Sequence, residues 1–285
     1  MAPVAAAFLP HPPLLVPALA GTAAPELDPL RAACREALST VTAAADLTIV
    51  VGAGPVWAVP TPSAPGSFHP YGADLEVTLP ALTDLDLSAA PADLDAPGLP
   101  SPAQLAELPL SLAIAAYLLA TLDPPPTSRL AAFTVPATLG PSAAATIGRA
   151  LAAAGQHAAS NGSGPPSGAR DGNARGSPDR ARPPGRVGLV VMGDLSACRT
   201  DRAPGGFRPE AAAFDASIAE AFRGATPHRL LDLDPTRAAT LLASGWIPLQ
   251  VLAGAFEQTD PHNGRVLYEG APYGVGYLVA NLTTR

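Results

Sequence analysis

The tightest constraint in this 285-residue chain is the run Phe8-Leu9-Pro10-His11-Pro12-Pro13-Leu14-Leu15-Val16-Pro17. Proline fixes φ near about −65° and pushes the residue before it into extended geometry, so Pro10 and His11 are held extended. The short apolar run Val4 to Phe8 therefore reads as a first strand that ends in one imidazole held between prolines. An open α/β sheet places its ligands at the carboxyl ends of such strands. His11 is the leading candidate for a chemical centre.

Composition narrows what that centre can serve. Apolar residues are 48% of the chain and charged residues 14%, which points to an Ala- and Leu-rich soluble globule with a large core. A net charge of −7 argues against nucleic acid or an anionic membrane as partner. All 17 basic residues are Arg, so a Walker-type phosphate loop and a Schiff-base lysine are excluded. Cys34 and Cys198 allow one bridge at most, and Cys34 falls on the apolar face of a predicted helix. Ala18-Leu19-Ala20 imitates a signal-peptidase site, but no basic residue precedes the apolar run and prolines interrupt it. The longest strongly apolar run, Leu110 to Leu122, is short of a membrane span. A cytoplasmic protein is expected.

Along the chain, Pro25 to Val41 reads as a helix with Leu27, Leu30, Cys34, Leu38 and Val41 on one face and Arg31, Arg35 and Glu36 turned away. Asp46 to Gly52 is a buried strand, so the first 52 residues form a right-handed βαβ unit. Residues 53–73, rich in Pro, Gly and Ser, form a long loop at the His11 edge, followed by a strand over Leu75–Leu79 and a loop over 84–102. A helix covers Leu110–Leu122, a strand Arg129–Val135, and a helix Ser142–Ala154 that Gly155 ends. The low-complexity segment 156–184 is expected to be a disordered insertion in a single domain spanning 1–285. Beyond it lie a strand over Arg186–Met192 and a helix over Pro209–Arg223 with Ala211, Phe214, Ile218 and Phe222 on one face. Leu230–Leu233 is a short strand or turn, Asp234-Pro235 starts a helix, and Ile247–Phe256 is an apolar helix. Val266–Glu269 and Tyr273–Asn281 close the chain as a hairpin.

The familiar catalytic signatures fail. Gly52-Ala53-Gly54-Pro55-Val56-Trp57 begins like a dinucleotide fingerprint, but Trp57 stands where close packing needs a small residue. There is no G-x-S-x-G, H-E-x-x-H or paired C-x-x-C. What remains are groups at strand ends: His11, His69 in the long loop, and Asp194, which serves equally well as a structural cap. His228 and His262 read as solvated.

In that pattern the chain resembles the class III extradiol ring-cleavage dioxygenase superfamily, which includes the Memo-like proteins, and within it an actinobacterial branch. The likeness rests on Phe8–Leu15, on the Asp46–Pro55 strand and turn, on Gly193-Asp194-Leu195-Ser196, on Gly245–Ala253 and on Pro272–Tyr277, in that order. It implies a central mixed, mostly parallel sheet flanked by helices on both faces, and a non-haem Fe(II) held by two His and a carboxylate. His11 matches the first metal ligand. The second would follow a G-P-x-H turn, where this chain has Gly54-Pro55-Val56-Trp57; His69 would have to substitute. The third would be Asp194 or Glu269. The family's acid/base His falls at Ala197, and its metal-binding Cys at Ser244. Pro55, Trp57, Ser196 and Ser244 line the implied cleft. Two functions follow: O₂-dependent aromatic ring cleavage, or an inactive relative that binds a small molecule or protein partner in the same cleft. The resemblance leaves a homo-oligomer open and gives no interface for it.

Overall fold

Three aliphatic runs that the sequence marks as buried strands lie side by side and parallel in the middle of one sheet. In chain order the strands are β1 (Ala5–Leu9), β2 (Leu47–Gly54), β3 (Ala58–Pro60), β4 (Pro65–Ser67), β5 (Glu76–Thr78), β6 (Ala103–Leu105), β7 (Arg129–Pro136), β8 (Val187–Met192), β9 (Asn263–Gly270) and β10 (Tyr277–Thr283). The helices are α1 (Pro17–Ala20), α2 (Asp28–Ala44), α3 (Leu110–Ala120), α4 (Pro141–Asn161), α5 (Ala211–Arg223), α6 (Pro235–Thr240) and α7 (Trp246–Ala255). The computed structural model describes residues 2–85, 87, 101–161 and 185–284.

Eight strands form a mixed sheet in the order β6-β3-β7-β2-β8-β1-β10-β9, and β4 pairs with β5 in a separate ribbon. β7, β2, β8 and β1 are mutually parallel, and β10 closes antiparallel on β1. The first two strands do run parallel, but β8 lies between them, so the α2 crossover passes over one intervening strand. Alternation along the strands feeds two helical layers. Ala5, Ala7, Leu9, Val50, Val190 and Met192 pack with α2 and α3. Ala6, Phe8, Ile49, Val51, Leu189 and Val191 pack with α4, α5 and α7.

Several expectations are corrected. Arg31 does not face away: its guanidinium is buried, bonded to Asp28 at 2.7 Å and to the carbonyl of Ala24. The stretch expected as a long loop over 53–73 contains β3, which meets β7 at Ala58 and Thr134, and β4. Three-residue strands rich in Pro and Gly carry no alternation that a sequence pattern could expose. Of the two readings of Leu230–Leu233, strand or turn, the turn holds: it lies in a 3-10 segment, Pro227–Asp232, and the residue that follows it. The final strand starts at Tyr277, because Gly274 at φ +80° still belongs to the turn.

Gly155 does not end its helix. It faces the sheet, where a Cβ would come within 2.8 Å of Ile49 Cδ1, and α4 continues to Asn161. Residues 156–161 of the segment expected to be disordered are therefore helical, and 162–184 lie outside the described residues. The N–H of Gly185 donates to Ser160 Oγ at 2.8 Å. Most of the loop expected over 84–102 also lies outside the described residues. The Asp234 cap is present, its carboxylate accepting the N–H of Thr236 at 2.8 Å.

α4 and α7 approach each other through glycine. A Cβ on Gly148 would collide with the Val251 carbonyl, and one on Gly254 with the Ala145 carbonyl. Gly148→Ala and Gly254→Ala should each lower stability by about 1–3 kcal/mol through overpacking against rigid backbone. Gly140→Ala, with nothing near its would-be Cβ, should stay within roughly 0.5 kcal/mol of the parent in urea unfolding. Both cysteines are free and buried, and burial pushes the Cys34 thiol up to about 12. At pH 8, iodoacetamide should therefore leave Cys34 unmodified until denaturant is added, as read by mass spectrometry.

Candidate functional site at the carboxyl edge

The ladder between β1 and β8 finishes with the N–H of Gly193 donating to the Leu9 carbonyl at 2.9 Å. Pro10, Pro12 and Pro13 have no N–H, so His11 carries the only amide donor between Leu9 and Leu14. That amide is buried and must be paired. Asp194 Oδ1 accepts it at 2.9 Å, extending the ladder by a side chain where the backbone can no longer do so. Pro12, at φ −66° and ψ 142°, is extended, and a 3-10 turn over Pro13–Leu15 follows it. Ser244 Oγ accepts the N–H of Asp194 at 3.3 Å, and the Asp194 carbonyl accepts that of Gly245 at 2.8 Å. A Cβ on Gly193 would strike Gly245 Cα, so the two segments touch backbone to backbone.

Register places a third group beside these two. Leu9 pairs with Met192 on one side of β1, and Phe8 with Ala280 on the other. Carried past the strand ends, these registers set Asp194 and Tyr277 on either side of His11. Tyr277 lies on the α2/α3 side with Leu9 and Met192, and the strand alternation carries His11 and Asp194, two residues beyond Leu9 and Met192, to the same side. His11 is 8% exposed, and its Nδ1 is buried with no hydrogen-bond partner among the described residues. Burial, and after it the charge of Asp194, hold the Tyr277 hydroxyl protonated well above the usual tyrosine range.

Behind this row lies an anchor that the sequence pattern does not single out. Asp215 is 1% exposed; its carboxylate accepts the N–H of Ser196 at 2.9 Å, the Ser196 hydroxyl at 2.8 Å and Arg199 Nη1 at 2.8 Å. Leu195 and Gly276 complete the clamp, with Leu195 N–H donating to the Gly276 carbonyl at 2.9 Å. The available signal is a carboxylate inside the apolar stripe Ala211, Phe214, Ile218 and Phe222.

The remaining sequence candidates lie elsewhere. Ser196 is fully buried on Asp215, and Trp57 is buried with its ring stacked on Phe133 at 5.3 Å. Pro55 is exposed at the end of the β2 turn, and Ser244 is exposed beside Asp194. His69 is exposed in a short 3-10 turn, lining a 400 Å³ cleft with Pro65, Ser67, Asp74, Glu76 and Glu107 rather than with His11 or Asp194. Glu269 is engaged by Arg223. Fe(II) in the arrangement implied above needs two imidazoles and a carboxylate converging on one point. Among the described residues, no group of three His, Cys, Asp or Glu side chains could hold a metal. The residues present do not fit that ion.

No family model matches the chain, and no curated protein matches it. A solved structure that does match is that of uncharacterized protein JW3007 from Escherichia coli K12, with a TM-score of 0.58 and 15% identity, covering 98% of this chain and 99% of that one. At that identity the likeness is one of fold, and it extends over nearly the whole of both chains.

Asp194→Ala should cost about 1–3 kcal/mol by orphaning the buried His11 amide, whereas Asp194→Asn, whose amide oxygen still accepts, should cost less in the same urea titration. Burial raises the Asp215 carboxyl above its ordinary value of 3.8, against the lowering effect of Ser196 and Arg199. Between 3.8 and that raised value the folded chain binds this proton more tightly than the unfolded chain does. Its contribution is complete below pH 3.8 and is lost as pH rises through the raised value. The stability difference between parent and Asp215→Asn should shrink with rising pH across that window, measured by unfolding at closely spaced pH values.

Proposed function

We propose that this chain is a small-molecule-binding relative of the class III extradiol dioxygenases in which iron-dependent ring cleavage has been lost. The observation that carries the reading is the His11 ring, which the fold encloses without bonding Nδ1. Buried polar groups are ordinarily paired, so an imidazole whose Nδ1 has no partner among the described residues, at a sheet's ligand-binding edge, is kept for a group that arrives from outside. Iron is a poor candidate for that group. A lone neutral imidazole does not hold Fe(II) against water, and Asp194 commits one oxygen to main-chain architecture. Ring cleavage also requires the metal to bind substrate and O₂ together.

The test is anaerobic reconstitution with Fe(II), followed by metal analysis and O₂ uptake with catechol. The expected result is far less than one iron per chain, unchanged in His11→Ala, and no O₂ consumption. Stoichiometric iron that disappears in His11→Ala, together with catechol-dependent O₂ uptake, would overturn the proposal in favour of an active dioxygenase.

A further inference from the structure

The row Asp194–His11–Tyr277 also has a sign. Among the described residues, Asp194 forms no ion pair, and its Oδ2 accepts no hydrogen bond. The nearest arginine along its own segment, Arg199, is neutralised by Asp215 at 2.8 Å. After burial, the charge of Asp194 is the largest influence on the Tyr277 hydroxyl, ahead of the phenols of Tyr273 and Tyr268. Arg31, on α2, is tied to Asp28. The edge therefore offers one carboxylate oxygen with open acceptor capacity, one buried imidazole whose Nδ1 is unpartnered, and one neutral phenol.

We infer that the ligand of this edge is a small organic cation, a protonated amine on an apolar frame. Its ammonium group lies against Asp194 Oδ2, and its frame or a second polar group meets the His11 ring. The inference rests on the ligand-binding reading above and names the class of molecule that reading leaves open. A carboxylate or phosphate ligand at Asp194 would face its charge, and Arg199, the arginine nearest along that segment, is already paired with Asp215. An ammonium group gains what such an anion loses, and at contact distance in a partly buried site that difference exceeds tenfold in affinity.

The experiment uses metal-free full-length protein and three probes that share one ring: benzylamine, benzyl alcohol and benzoate. Binding is followed by the shift of the His11 ring signals in NMR spectra, assigned with His11→Gln, and by thermal stabilisation. Benzylamine should bind at least about tenfold more tightly than either of the others and should move the His11 signals. Asp194→Asn, which keeps the bond to the His11 amide, should bring benzylamine and benzyl alcohol to near-equal affinity. Tyr277→Phe should leave the preference for the amine in place. Equal binding of the three probes, preference for benzoate or benzyl alcohol, or no binding by any of them overturns the inference. Failure of the metal-free reading would register separately, as stoichiometric iron in the reconstitution experiment.

Discussion

One hydrogen bond, from the His11 amide to the Asp194 carboxylate, joins residues 183 positions apart and fixes how the carboxyl edge is built. Prolines on both sides remove every other amide donor nearby, so strand pairing by main chain stops at Leu9. A charged acceptor continues it for one more residue. A hydrogen bond to a charged group is worth about 1.5–3 kcal/mol, roughly twice an ordinary one, which suits a place where a single contact must replace a ladder. Everything positioned there follows from it. Asp194 is itself held by Ser244 and Gly245, its segment is clamped through Ser196 and Asp215, and Gly276 leads directly into Tyr277.

That order of dependence makes the site a product of tertiary structure, and it explains how far the sequence can be read. The central strands are legible because Leu47–Gly54 and Val187–Met192 are aliphatic runs buried on both faces, and such runs announce themselves. The helical stripes over Leu30–Val41 and Ala211–Phe222 are legible for the equivalent reason at helical spacing. The Pro-His-Pro stretch is legible as a rigid strand end because proline acts locally. Gly155 reads wrongly as a stop because a glycine that ends a helix and a glycine that lets a helix touch a sheet are identical in one dimension. Only the presence of Ile49 and Val187 beside it tells them apart.

The site is harder. His11 and Asp194 both stand out as strand-end groups, yet their roles depend on which atom meets which. A carboxylate that accepts a main-chain amide and one that ligates a metal have the same sequence. Tyr277 comes beside them only through β10 pairing, across 266 residues from His11, a relation set by a register no local pattern contains. Asp215 is hidden by the very clarity of its helix, since the stripe that identifies α5 draws attention away from the one buried charge within it.

The bond between Ser160 and Gly185 brings the chain back to the point where it left the end of α4. The chain therefore leaves and re-enters the described fold at one place, beside the start of β8 and away from the edge that carries His11. For a loop whose two ends are held together in this way, doubling its length costs only about 0.6 kcal/mol of closure entropy. The chain can gain or shed residues there, or accept an inserted module, at almost no cost to the sheet. A change of length between those two points leaves the register of the carboxyl edge untouched, because both points lie at the opposite end of β8.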